Sequence, residues 1–220
     1  MAKLLITIDG PAASGKSTVA RRLAERLGAV FLDTGAMYRA VTLAAMQKNA
    51  DLQDETRLLR ILCETEFEFE PQRGRMRVKI DGMDVTEKIR DFDVTANARY
   101  IAQAPQVRKK LVQMQRQFAA GHEKAVTEGR DQGTIAFADA DVKFFLTADI
   151  SERAKRRMAE IEDKDLEKVQ KDIEQRDASD RRRADGPLRP APDAIIIDTT
   201  NISVEEVVEK LFSSVKEKCS

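Results

Sequence analysis

The chain has 220 residues, 42% of them hydrophobic and 35% charged, with 38 basic side chains set against 38 acidic ones. That length suits one elaborated domain or two small ones. The zero net charge argues against a general nucleic-acid or anionic-membrane binder, though it leaves room for a local basic pocket. Two cysteines, Cys63 and Cys219, lie far apart in sequence, with neither a disulfide framework nor metal-ligand spacing. Each is expected as a buried or tail thiol. His122 is the only histidine, which excludes sites built on several histidines. It stands beside Gly121 in an expected loop and is assigned no role.

The N-terminal residues run straight into an apolar segment, with no room for a signal peptide and no run long enough to span a membrane. A soluble cytoplasmic protein is expected. Leu4-Leu5-Ile6-Thr7-Ile8-Asp9 reads as a strand covered on both faces, the pattern of a parallel sheet. Val19, Leu23 and Leu27 follow at helical spacing, and Gly28 ends that helix. Val30-Phe31-Leu32 is a second strand, residues 35–46 a helix, and 58–62 a short helical stretch.

The period then changes. Glu66-Phe67-Glu68-Phe69-Glu70 and Arg75-Met76-Arg77-Val78-Lys79-Ile80 alternate strictly, with turns at 71–74 and at Asp81-Gly82. This predicts an antiparallel meander with one wet face, inserted as a subdomain over 63–90. Helices are expected over 91–120, interrupted at Pro105. Core strands follow at 125–127, 142–146 and 194–197. The segment 151–183 is charged, helical and poorly apolar, either a solvated hairpin or a mobile arginine-bearing lid. A capping box, Ser203 with Glu206, opens the last helix, whose apolar stripe is Val204, Val207, Val208, Leu211 and Val215. Strands alternating with helices predict a three-layer α/β domain around a parallel sheet of about five strands, with ligands beyond the carboxyl ends of the strands.

The sharpest local signal is Gly10-Pro11-Ala12-Ala13-Ser14-Gly15-Lys16-Ser17, which fits G-x-x-x-x-G-K-[ST] between a buried-type strand and an amphipathic helix. Such a loop turns its backbone N–H groups onto the α- and β-phosphates of a nucleoside triphosphate. The following helix points its positive end at the same anion. Lys16 is expected to reach the β/γ oxygens and the Ser17 hydroxyl to ligate Mg²⁺, with Thr18 next in the helix. Two carboxylates stand at strand ends where a metal is expected, Asp33 (through a water) and Glu128. Arginines recur at separate places: Arg39, Arg130, Arg176, Arg181, Arg182 and Arg183. A switch or motor needs one arginine finger. A kinase joining two phosphorylated nucleotides must neutralise both, which calls for several guanidinium forks.

Ile6-Thr7-Ile8-Asp9-Gly10-Pro11, Leu32-Asp33-Thr34-Gly35-Ala36-Met37-Tyr38-Arg39, Gly129-Arg130-Asp131-Gln132-Gly133-Thr134 and Arg176-Asp177-x-x-Asp180-Arg181-x-Arg183 occur in that order. Together with the antiparallel insert, they give the chain a resemblance to bacterial cytidylate kinases over nearly its whole length. The resemblance implies a P-loop kinase core (1–62, 91–150 and 187–220), a CMP-side β insert (63–90) and a helical lid (151–186). It implies ATP and Mg²⁺ on the donor side, with CMP or dCMP as acceptor. Arg39, Arg130 and Arg183 would hold the acceptor phosphate, Arg108 and Asp131 would read cytosine, and Arg176 and Asp180 would contact the sugar. Thr34 would add a hydroxyl, and Arg153 and Arg157 would contact the donor nucleotide. Lys16, Arg130 and Arg183 are then the catalytic cations, and a monomer is expected. One part stands on chemistry alone: a carboxylate such as Asp131 accepts from the cytosine N4 amino group and repels the uracil carbonyl.

The sequence departs from the family pattern at Glu128, where Asp is usual, and at Arg99, which takes the place of a base-contacting serine. The rival readings are a kinase of the same fold with another acceptor, such as UMP or shikimate, and a P-loop ATPase or switch module.

Overall fold

In a computed structural model, residues 4–72, 74–161 and 165–219 are described. In chain order the elements begin with β1 (Leu4–Asp9), α1 (Lys16–Leu27), β2 (Val30–Asp33), α2 (Thr34–Gln47) and α3 (Glu55–Glu64). A small antiparallel sheet follows, made of β3 (Phe67–Gln72), β4 (Arg75–Ile80) and β5 (Met83–Asp84). Next come α4 (Phe92–Gln103), α5 (Pro105–Ala120), β6 (Lys124–Gly129) and β7 (Val142–Thr147). The chain closes with α6 (Ile150–Ile161), α7 (Leu166–Arg182), β8 (Ile195–Asp198) and α8 (Val204–Cys219).

The main sheet runs β2-β6-β1-β7-β8, with every neighbouring pair parallel. β1 is its middle strand, which explains the near-continuous apolar run: Ile6 and Ile8 are fully buried on one face, with Thr7 equally buried between them. On that face α1 and α8 bring Val19, Leu23, Val207, Leu211 and Val215 against β1, β6 and β7. The opposite face is covered by α2, α3, α4 and α5, through residues such as Met37, Val41, Leu58, Ile101 and Leu111. The result is the expected three-layer α/β arrangement.

Local chemistry sets several boundaries. The Asp33 side chain accepts from the Ala36 N–H (2.8 Å) and so starts α2 one residue earlier than its apolar pattern suggests. Pro105 occupies the first turn of α5, where its missing N–H is harmless, and it separates α4 from α5. The capping box closes in both directions: Ser203 N–H donates to the Glu206 carboxylate (2.8 Å), and Glu206 N–H donates to Ser203 Oγ (3.2 Å).

Two expectations need correction. The antiparallel sheet does not form around a core of its own. Met76, Val78 and Ile80, the inward residues of β4, belong to the same apolar cluster as α2 and α5. Its flanks also fall to other elements, since residue 63 lies in α3 and Lys88–Arg90 is a 3₁₀ turn. Cys63 in α3 is exposed and not buried, whereas Cys219 is exposed at the end of α8, in keeping with a tail thiol. Among the described residues, no helix is long and apolar enough to cross a membrane.

Candidate active site

The loop 10–17 leaves the carboxyl end of the central strand and enters α1. Gly10 cannot be replaced without distortion: its φ is +155°, and a Cβ there would overlap the Leu146 carbonyl oxygen of β7. Lys16 is buried, and its Nζ donates to the Pro11 carbonyl (2.9 Å). Burial, followed by the positive charge of Arg130, pushes Lys16 well below the usual lysine range. Ser14 Oγ, inside the same loop, is fully buried and has no hydrogen-bond partner among the described residues, an orphaned polar atom of the kind a bound anion satisfies.

Beside the loop, Ser17 Oγ donates to the Glu128 carboxylate (2.8 Å). Glu128 is drawn there by register. β6 lies between β1 and β2, so Glu128 faces Ile8 on one side and Asp33 on the other. Burial, and then the nearby Asp33 charge, raise its pKa. The carboxylate next to the predicted metal-binding hydroxyl is therefore Glu128 and not Asp33. Both Asp33 oxygens are committed elsewhere. One caps α2, and the other pairs with Arg39 (3.2 Å) and lies 3.6 Å from Arg90. Among the described residues, no three His, Cys, Asp or Glu side chains converge into a metal cage. An octahedral cation that keeps most of its ligands as water and phosphate needs no such cage.

The acceptor-side residues form two linked groups. In the first, Asp180 of α7 bridges Arg130 (2.8 Å) and Arg183 (3.0 Å). Burial opposes the Asp180 charge, but these two guanidinium groups hold its pKa below the ordinary value. Arg39 stands apart from this group, paired with Asp33 (3.2 Å), and its buried Nε has no hydrogen-bond partner among the described residues. Arg176 is depressed by burial and by Arg130, and Arg157 lies near enough to add to that effect. In the second group, Arg108 reaches out of α5 and is almost fully buried. It ion-pairs with Asp131 and donates to Tyr38 Oη (3.1 Å) and Asp185 (3.2 Å). Burial pushes the Tyr38 phenol up to about 12. Gly186 packs so tightly over the pair that a Cβ would overlap both Arg108 Nη2 and the Asp131 carboxylate. A cleft of ≈ 560 Å³, within the range of small-molecule sites, opens beside this group and is lined by Gln103, Arg108, Ser179, Arg183 and Asp185.

Other predicted residues have duties the sequence did not suggest. Thr34 Oγ1 donates to the Glu128 carbonyl (2.7 Å), tying α2 to β6. Arg153 is buried and engaged by protein groups on three sides, so it does not present a free guanidinium to a donor nucleotide. Arg99 is exposed and donates to its neighbour Tyr100.

Sequence reasoning also missed three contributors. Asp9 is buried at the end of β1 and accepts from the N–H groups of Gln132 (2.9 Å) and Gly133 (2.8 Å). It thereby anchors the π-helical turn Gln132–Ala136 that follows Asp131. Thr199 Oγ1 shares its one proton between the carbonyls of Ser14 (3.2 Å) and Thr147 (3.0 Å) and accepts from Arg156 (3.1 Å). Asp177 binds the Ala12 N–H (3.0 Å). Asp9 carried a signal as a carboxylate in an otherwise apolar strand next to the glycine loop, and Asp177 stands inside one of the segments that carry the family resemblance.

A phosphate loop at the end of a central parallel strand, with an arginine cluster within electrostatic reach of its lysine, defines a P-loop kinase, a phosphotransferase of the α/β class. Solved structures agree on the fold. A gluconokinase from Sinorhizobium meliloti superposes with a TM-score of 0.53 at 13% identity, covering 98% of this chain and 93% of the other. The pattern of the cytidylate kinase family matches residues 6–217. Similar proteins named cytidylate kinase come from Geobacillus kaustophilus (47% identical, 98% of each chain) and Anoxybacillus flavithermus (46%, 98% of this chain and 97% of the other). The chain belongs to the cytidylate kinase family.

Proposed function

We propose that the protein transfers the γ-phosphoryl group of ATP to CMP or dCMP, giving ADP and CDP or dCDP. The observation that carries this reading is the shared electrostatic field of the two half-sites. Arg130 and Arg176 lie close enough to Lys16 to lower its pKa, and Arg130 is joined through Asp180 to Arg183. One end of the site suits a triphosphate, and the other presents cations for a second phosphate.

The acceptor phosphate oxygen is already anionic near neutral pH, so no side-chain base is required. The residues position and neutralise. Lys16 meets the β/γ oxygens. Arg39, Arg130 and Arg183 hold the acceptor phosphate in line, exchanging their present carboxylate partners for it. Asp131, oriented by Arg108, accepts from the cytosine amino group. Arg176 and Asp180 sit where the acceptor sugar would pass. Ser17, with Glu128 beside it, would hold Mg²⁺, which would supply further neutralisation of the triphosphate. Closure of the lid over 151–186 excludes water, so that hydrolysis does not compete, while the insert around 63–90 closes the acceptor side. The balanced charge supports a protein without nucleic-acid partners, and membership of the kinase family supports a cytoplasmic monomer.

A panel of acceptors with ATP tests the proposal, reading ADP release for CMP, dCMP, UMP, shikimate and water. CMP and dCMP are expected to be the best. A higher kcat/KM with UMP or shikimate overturns the substrate assignment, and hydrolysis as fast as transfer overturns the kinase reading.

A further inference from the structure

The loop 10–17 is held from outside by the helical segment above it. Ala12 has both of its main-chain groups committed to α6 and α7. Its N–H donates to Asp177 Oδ1 (3.0 Å), and its carbonyl accepts from Arg153 Nη1 (3.1 Å). The same Nη1 pairs with Asp177 Oδ2 (2.5 Å), and Arg153 Nε donates to the Ala148 carbonyl (3.0 Å). The two side chains are only 7% and 2% exposed. The Ala12 methyl group completes a small apolar cluster with Ala154, Val169 and Ile173. The next residue, Ala13, has φ +58°, in the left-handed region that a side chain disfavours. Ser14, on its far side, is tied through Thr199 to Arg156 of α6. A strained residue of the phosphate loop is thus flanked by two anchors that both reach into α6–α7.

We infer that Arg153 and Asp177 are positioning residues of the donor site, a buried pair that clamps Ala12 and thereby holds the loop in the shape that receives the triphosphate. This rests on reading residues 10–17 as the ATP loop. The pair touches loop backbone and not nucleotide. It also sets the root of the lid. Arg157 lies one turn after Arg153, and Arg176 directly precedes Asp177.

Asp177→Asn tests the inference. Asparagine can still accept from Ala12 N–H through its oxygen, but it turns an amide toward Arg153 and cannot complete the clamp. The readouts are the Kd of a non-hydrolysable ATP analogue, the KM values for ATP and CMP, and far-UV circular dichroism. The analogue is expected to bind about tenfold more weakly, with KM for ATP rising in parallel and KM for CMP changing less than twofold. Adding Ala13→Gly, which relieves the left-handed strain without help from the clamp, is expected to restore at least half of the lost affinity on a logarithmic scale. Should Asp177→Asn fail to fold, Arg153→Lys serves instead, because an ammonium cannot span Ala12, Ala148 and Asp177 together. The same loss and the same rescue are expected. The inference is overturned if KM for CMP and ATP rise together, if glycine at position 13 gives no rescue, or if Arg153→Lys weakens analogue binding while Asp177→Asn does not. The last result would mark Arg153 as a nucleotide contact. Analogue binding needs no acceptor, so failure of the CMP assignment leaves the test intact.

Discussion

Replacing Asp131 with alanine removes one half of an ion pair in which the side chains of Arg108 and Asp131 are 2% and 7% exposed. Breaking a buried pair from one side costs roughly 3–5 kcal/mol, because the remaining charge stays buried without its partner. Arg108 keeps Tyr38 Oη and the half-exposed Asp185, which places the expected loss at the lower end, about 3 kcal/mol. For a chain of this size, that corresponds to a fall of roughly 6–12 °C in Tm. Urea unfolding followed by far-UV circular dichroism measures it. The double variant Arg108→Met with Asp131→Leu removes both charges and is expected to recover most of the stability, while remaining unable to select CMP. On the functional side, losing one charge-assisted hydrogen bond of about 1.5–3 kcal/mol raises KM for CMP about ten- to a hundredfold and leaves KM for ATP nearly unchanged. The reasoning is refuted if Asp131→Ala costs under about 1 kcal/mol, if the double variant is no more stable than the single one, or if both KM values rise equally.

Glu128→Gln is expected to raise the Mg²⁺ concentration needed for half-maximal activity about tenfold, whereas Asp33→Asn, which preserves the helix cap, leaves it unchanged; a Mg²⁺ titration of each variant decides which carboxylate serves the metal. Burial raises Asp9 from its ordinary 3.8 to about 7, against the opposing N–H bonds of Gly133 and Gln132. The folded chain therefore keeps a proton that the unfolded chain loses between pH 4 and 7. The stability this contributes is complete below about pH 4 and is lost as the pH rises through 7, by at most about 1.4 kcal/mol per unit. Asp9→Asn removes that slope, so its deficit relative to the parent should be largest near pH 4 and shrink toward pH 7 in chemical denaturation; a constant gap contradicts the assignment. Met76→Ala in β4 is expected to cost about 2–5 kcal/mol and to preserve a single unfolding transition. A separate early transition confined to the small sheet would show that it does not share the main core.

Much of the architecture was legible because its causes are local. The apolar run 4–9, the alternation in 75–80, Pro105 and the Ser203–Glu206 box each act within a few residues, and each corresponds to the element observed there. The glycine–lysine–serine loop was legible for the same reason, being one contiguous strand–loop–helix unit. Partnerships across the chain were not. The choice of Glu128 over Asp33 beside Ser17 spans 111 residues, and it follows from β6 inserting between β1 and β2, an order that no local pattern encodes. Arg153 was expected to contact the donor nucleotide, but Asp177, 24 residues away, engages it over Ala12.

The sequence by itself therefore determined the phosphate loop, the alternation of strands and helices, and the supply of arginines, since backbone angles, caps and periodicity depend only on neighbours in the chain. Tertiary structure alone decided which carboxylate meets which hydroxyl or guanidinium. Strand order and helix packing bring those groups together, and a side chain becomes a site residue only when burial and a partner give its charge something to do.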